Sequence, residues 1–160
     1  MFQRLLLGID DTSAGQIAVS FATALSRQHA ATVRVLYVNQ FILGGRGHTL
    51  LSAEEADQLV GSAVEELRSN GVPATGQVLR AAYFDVALRI AEAADGWPAD
   101  AIVVGSHRHR RFRRLAHQGV RERVIRLSAL PVLTAPAPLK VSRAYPAIAG
   151  SPPQPISRRI

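Results

Sequence analysis

What most constrains the fold of this chain is an alternation of two hydrophobic periods. Short apolar runs with strand character are each followed by a stretch with helical spacing, and the alternation carries through five strands. Phe2 to Ile9 holds the unbroken run Leu5, Leu6, Leu7, the mark of a strand covered on both faces, as in parallel sheets. Asp10-Asp11-Thr12-Ser13 supplies turn and N-cap chemistry. It opens a helix expected to about Gln28, with Ile17, Phe21, Ala24 and Leu25 inward. Thr32 to Val38, rich in β-branched residues, reads as a second strand. After a glycine-bearing loop over 39–51, Ser52 and Glu55 match a capping box. Their helix turns Ala56, Leu59, Val60, Ala63 and Leu67 inward and stops at Asn70-Gly71.

Ala74 to Leu79 is the third strand, and Phe84 to Ala94 a helix with Val86, Leu88, Ile90 and Ala94 on its apolar side, broken by Gly96-Trp97-Pro98. Ala101 to Val104 is the fourth strand, Val120 to Leu127 a helix, and Pro131 to Thr134 a short fifth strand. This order implies an α/β fold: one domain over residues 1–135 with a five-stranded, doubly wound parallel sheet. Ligands of such sheets bind beyond the carboxyl ends of the strands, where Gly8 to Asp11 and the segment from Gly105 onward are expected.

Composition narrows the function classes. Residues 1–104 hold 7 Lys+Arg against 11 Asp+Glu, whereas residues 105–160 hold 12 against 1. So local an excess of positive charge points to an anionic partner, though a solvated arginine face with no specific ligand is the plain alternative. There are 0 cysteines, which excludes disulfides and thiolate chemistry and suits a reducing, cytoplasmic setting. No apolar run approaches the ~20 residues that span a bilayer, and acidic residues follow the first apolar run, against a signal peptide. Residues 136–160 carry 6 of the 9 prolines and read as a basic, flexible tail.

The segment Gly105-Ser-His-Arg-His-Arg-Arg-Phe-Arg-Arg, running on to the helix at Val120, sets the chemistry. A strand, a glycine, a cationic loop and a helix start is an arrangement that commonly holds phosphate. Catalytic machinery is not legible. Asp10-Asp11-Thr12 has the wrong spacing for an Asp-x-Asp phosphatase. Leu79-Arg80-Ala81 lacks the carboxylate, and the tail's Lys140 is not the lysine, that a phospho-receiver domain needs. Capping of the first helix by Asp11 or Thr12 is the simpler reading. His107-x-His109 has no third ligand and is flanked by arginines that repel a cation, and Ser106 has no base beside it. No enzyme and no metal are expected.

The chain resembles the universal stress protein family over about residues 2–135. RLLLGIDDTSAG resembles that family's first strand and turn, and VRVLYV its second strand. ADAIVVGSHRH, then GVRERVIRLSALPVLTAP, is similar to its fourth strand, loop, V-x-E-R-V helix and last strand. The resemblance implies an adenine nucleotide alpha hydrolase-like fold and a homodimer through the last strand, here Val132, Leu133 and Thr134. In the branch that binds ATP it implies a loop G-x-x-G-x9-G-Ser/Thr. Laid over that pattern, Gly105 matches the first glycine and Arg108 replaces the second. Gln118 replaces the third, Gly119 stands at the hydroxyl position, and Val120 follows it. Asp10 matches the acidic residue facing adenosine, and Val38 the residue lining the adenine pocket.

Putting a non-glycine residue into the left-handed region costs ~1–2 kcal/mol. A shift of the third glycine to Gly119 would restore part of the turn. Two readings follow. One is a stress-response module with a degenerate site that takes an adenine nucleotide weakly or in altered form, with Arg108, Arg110 or Arg111 on the phosphates. The other is a regulatory protein that binds no nucleotide and meets a polyanion, nucleic acid included, or an acidic protein through the arginine-rich loop, with Phe112 anchoring that loop.

Overall fold

A computed structural model describes residues 1–41, 49–106 and 119–136. The elements run β1 (Arg4–Ile9), α1 (Ser13–His29), β2 (Thr32–Phe41), α2 (Ala53–Ser69), β3 (Ala74–Ala82), a 3-10 turn (Tyr83–Asp85), α3 (Val86–Gly96), β4 (Ala101–Val104), α4 (Val120–Leu127) and β5 (Val132–Thr134). All strands pair in parallel, in the order β3-β2-β1-β4-β5. The chain winds outward from β1 to one side, then crosses back to place β4 on the other. The switch in strand order therefore falls between β1 and β4.

The three leucines of β1 explain why it sits at the centre. Leu5, Leu6 and Leu7 are each 0% exposed, and alternate residues feed two cores. Leu5, Leu7, Ile9, Val33 and Val35 pack under α1 and α2. Leu6, Leu36, Val38, Ile102 and Val104 pack under α3 and α4, where Ile90 and Val124 meet them. Burial of both faces removes any reason for polar alternation along β1.

Several boundaries differ from the sequence expectation. β2 runs three residues past Val38, because Asn39, Gln40 and Phe41 keep pairing with Arg80, Ala81 and Ala82 of a longer β3. The Asn39 side chain, buried in spite of its polarity, is satisfied there: its Nδ2 donates to the Leu51 carbonyl (2.8 Å) and its Oδ1 accepts from Leu51 N (3.2 Å). A 3-10 turn occupies Tyr83–Asp85, so α3 starts at Val86. Leu88 is 41% exposed on α3 and Ala24 is exposed on α1, where Ala18, Val19 and Ala22 fill the inward stripe instead. The capping box holds: Ser52 Oγ accepts from Glu55 N, and the Glu55 carboxylate accepts from Ser52 N. Gly71 follows α2 at φ +77°, a conformation suited to glycine. The 136–160 segment beyond Pro136 lies outside the described residues.

Candidate functional site

The carboxyl ends of β1 and β4 lie side by side, with Gly8 level with Val104. Asp10 leaves β1 at this point, and Gly105 leaves β4. What joins them is the first turn of α1. Asp10 Oδ1 accepts from Thr12 N (3.1 Å), Thr12 Oγ1 (2.5 Å) and Gly15 N (3.1 Å). Thr12 is the N-cap, its hydroxyl accepting from Ala14 N (3.2 Å). The expectation that Asp11 or Thr12 caps the helix is thus half right: Asp11 is exposed, and the carboxylate at work is Asp10. The amides of Thr12, Ala14 and Gly15 are satisfied from within, so this helix start has its anion already, in the Asp10 carboxylate.

Glycine is required twice here, by proximity. A Cβ on Gly15 would lie 2.3 Å from the Asp10 carbonyl oxygen, and a Cβ on Gly105 would lie 2.9 Å from that of Ala14. The first turn of α1 is therefore wedged between the ends of β1 and β4. Gly105 does not adopt positive φ; its missing side chain is what the site needs.

The chain returns to the described structure at the start of α4. Gly119 is its N-cap with φ −61° and ψ 164°, so it does not restore a left-handed turn, and the expected repair by a shifted glycine does not occur. Glu122 occupies the first turn, where the helix dipole favours a carboxylate, and is paired with Arg121. The Arg123 guanidinium donates to the Phe84 carbonyl and ties α4 to the turn before α3. Val120 packs on the same apolar cluster as Val38 and Val104. Asp10 and Gly105 thus follow the adjacent carboxyl ends of β1 and β4, Val38 and Val120 belong to one apolar cluster, and Gly119 caps α4. Val38 is only 5% exposed. Arg108, with Arg110, Arg111, Phe112, His107, His109 and Gln118, lies outside the described residues.

On the opposite side of Asp10, between α1 and α2, the structure opens a cavity of about 310 Å³ whose polar lining includes Asp10, Asp11, Thr12, Gln16, Ser62 and Glu66. Sequence reasoning missed it, and no motif announces it: Ser62 and Glu66 arrive from a helix half the domain away. Its carboxylates repel phosphate. Burial, then Asp11 and Asp10, push the Tyr37 hydroxyl up to about 12. Among the described residues no group of His, Asp or Glu could hold a metal ion. No helix among them is long and apolar enough to cross a membrane.

Solved structures share this architecture. A universal stress protein family member from Burkholderia pseudomallei is 25% identical with a TM-score of 0.70, over 85% of this chain and 97% of its own. A universal stress protein from Archaeoglobus fulgidus in complex with dAMP is 23% identical with a TM-score of 0.62, over 83% and 97%. A universal stress protein in complex with cAMP is 19% identical with a TM-score of 0.65, over 83% and 95%. No curated protein matches the chain. The universal stress protein family profile matches residues 1–136, the whole α/β domain, and the chain belongs to that family.

Proposed function

We propose that this protein is a non-enzymatic stress-response module whose rim at the β1–β4 switch binds an adenine nucleotide weakly or in altered form. The observation that carries this reading is an asymmetry. Asp10 and Gly105 stand at the adjacent ends of β1 and β4, and Val38 and Val120 share one apolar cluster, which supports an adenosine site there. The phosphate loop, by contrast, has Arg108 and Gln118 in place of two glycines and Gly119 in place of the hydroxyl. The loss of glycines removes amide contacts to phosphate, and arginines offer charge-assisted bonds instead. Burial of Val38 means that adenine must part the edge of an apolar cluster, a cost that lowers affinity. The dAMP and cAMP complexes of relatives support an adenine ligand.

Calorimetry with ATP, ADP, AMP, dAMP and cAMP tests this reading. The expected result is weak heat that ranks the five ligands; no heat for any of them at high protein concentration sinks it.

A second reading rests on the charge split at residue 105: the basic half meets a polyanion. It predicts binding to duplex DNA whose log–log salt slope is about −0.9 per phosphate contacted. Salt-insensitive binding refutes it.

We further assign β5 to a homodimer contact. Among the described residues, Val132, Leu133 and Thr134 form an edge strand that pairs with β4 alone and leaves backbone groups free on its outer side. Sedimentation of Leu133→Asp against the parent chain tests it, with a shift to monomer expected and an unchanged mass contradicting it. The absence of cysteine favours the cytoplasm as its setting.

A further inference from the structure

The sheet has a second edge, β3, on the side away from β5. The amide of Val33 donates to the carbonyl of Pro73 at 2.9 Å. In a parallel ladder a residue bonds to the two neighbours of the residue opposite it. Since Val33 stands opposite Ala74, this phase turns Thr75, Gln77 and Leu79 toward β2. The amides and carbonyls of Ala74, Gly76, Val78 and Arg80 then point outward. Arg68 takes up the first of these, its Nε and Nη2 donating to the Ala74 carbonyl at 3.0 and 2.8 Å. Among the described residues, nothing takes up the outward groups of Gly76, Val78 and Arg80.

Beside this free edge runs a groove of about 230 Å³ between β3 and α2, walled by Asp57, Val60, Gly61, Val64, Gly76 and Val78. The fold itself requires Gly76, because a Cβ there would lie 2.3 Å from Val60 Cγ1. Gly61 is different: a Cβ there meets nothing within 4 Å. Glycine is among the least favourable residues inside a helix, so this position gives up helix stability and gains only an open groove.

Charge marks the rim. Asp57 lines the groove, and helical spacing puts Glu54 and Glu65 on the same side of α2. The described ion pairs, Arg89–Glu92 and Arg121–Glu122, include none of the three. Arg80 is exposed near the carboxyl end of the strand.

We propose that the β3 edge is a docking site for an extended segment of a partner protein, which adds to the sheet as a further strand. Its backbone bonds to Gly76, Val78 and Arg80. A small side chain lies over Gly61 and Gly76, and lysine or arginine at alternate positions meets Asp57 and Glu65. A second copy pairing edge to edge would bring α2 against α2 and set these carboxylates against their own counterparts, so it is the poorer occupant.

The test uses the full chain and an acetylated, amidated heptapeptide, Thr-Lys-Val-Ala-Val-Lys-Thr, whose lysines and alanine share one face. Amide exchange by NMR should show protection of Gly76, Val78 and Arg80 rising by about tenfold or more with peptide, while Thr75 and Gln77, already bonded to β2, change little. Gly61→Leu fills the groove at an exposed helix position and should weaken binding about tenfold with an unchanged or higher melting temperature. The peptide with glutamates for lysines should bind equally poorly. Three results overturn the proposal: no protection at millimolar lysine peptide, full binding to Gly61→Leu, or edge protection that needs no peptide and grows with protein concentration, which would identify a second copy as the occupant.

Discussion

Replacing Gly105 by alanine puts the wedge between α1 and the sheet to a direct test. The new Cβ would lie 2.9 Å from the Ala14 carbonyl oxygen, 3.1 Å from its carbon and 3.3 Å from its Cβ. Two of the three are backbone atoms, so no rotamer change relieves the contact. If α1 retreats, the Gly15 N to Asp10 Oδ1 bond of 3.1 Å lengthens. Overpacking of this kind costs roughly 1–3 kcal/mol, and weakening a hydrogen bond to a carboxylate adds about 1 kcal/mol. The sum, about 2–4 kcal/mol, should lower the melting temperature by roughly 5–12 °C for a domain of this size. Gly61→Ala is the matched control: its Cβ meets nothing within 4 Å, and better helix propensity should raise stability by roughly 0.5–1 kcal/mol. Thermal melts followed by circular dichroism read both. If the two variants melt within a degree of each other, the claim that Gly105 is held by close approach is wrong.

Three further outcomes follow from the same geometry. Asp10→Ala removes an acceptor shared by three donors and leaves the part-buried Thr12 amide unpaired, while Gly15 N keeps the Thr12 carbonyl at 3.0 Å; denaturant melts should show a loss of roughly 1–3 kcal/mol, and no measurable loss refutes the capping role. Tyr37, its hydroxyl pushed up to about 12 by burial and the two aspartates, keeps its proton in the folded state while the unfolded chain loses it near pH 10. Stability should therefore fall as pH rises from about 10 to 12, and Tyr37→Phe should flatten that decline and remove the latest step in a tyrosinate absorbance titration. Asp100 works in the opposite sense. Its Oδ2 accepts from Gln3 N and Arg4 N at 2.6 and 2.7 Å, and these bonds hold its carboxyl below the ordinary range. Its stabilisation is present above the unfolded carboxyl range and lost as pH falls through the folded value, so Asp100→Asn should be less stable at neutral pH and show a shallower acid decline.

The fold was legible where hydrophobic period and capping chemistry agree. Leu5 to Leu7 marks a central strand because both faces are covered, and Ser52 with Glu55 marks a helix start because the box satisfies two amides locally. The additions to β2 and β3 were not legible, since Asn39, Gln40 and Arg80 carry little strand preference of their own. Pairing between the strands and the Asn39–Leu51 bonds decide those residues. The site divides in the same way. Asp10, Gly105 and Val120 stand at the ends of recognisable elements, so their meeting follows from strand order. The choice of Asp10 over Asp11 as the carboxylate that serves the first turn of α1, and the extended Gly119 in place of a left-handed one, depend on local geometry that residue type alone does not dictate. The cavity beside Asp10 needs α2 laid against α1, a contact between residues distant in sequence.

The most direct test of the central claim is a nitrogen-15 NMR titration of the full chain with ADP. Millimolar-range shifts clustered at Val38, Gly105 and Val120, reduced by Asp10→Asn, are expected. Shifts confined to Gln16, Ser62 and Glu66 in the α1–α2 cavity, or none at all, would contradict a nucleotide rim at the β1–β4 switch.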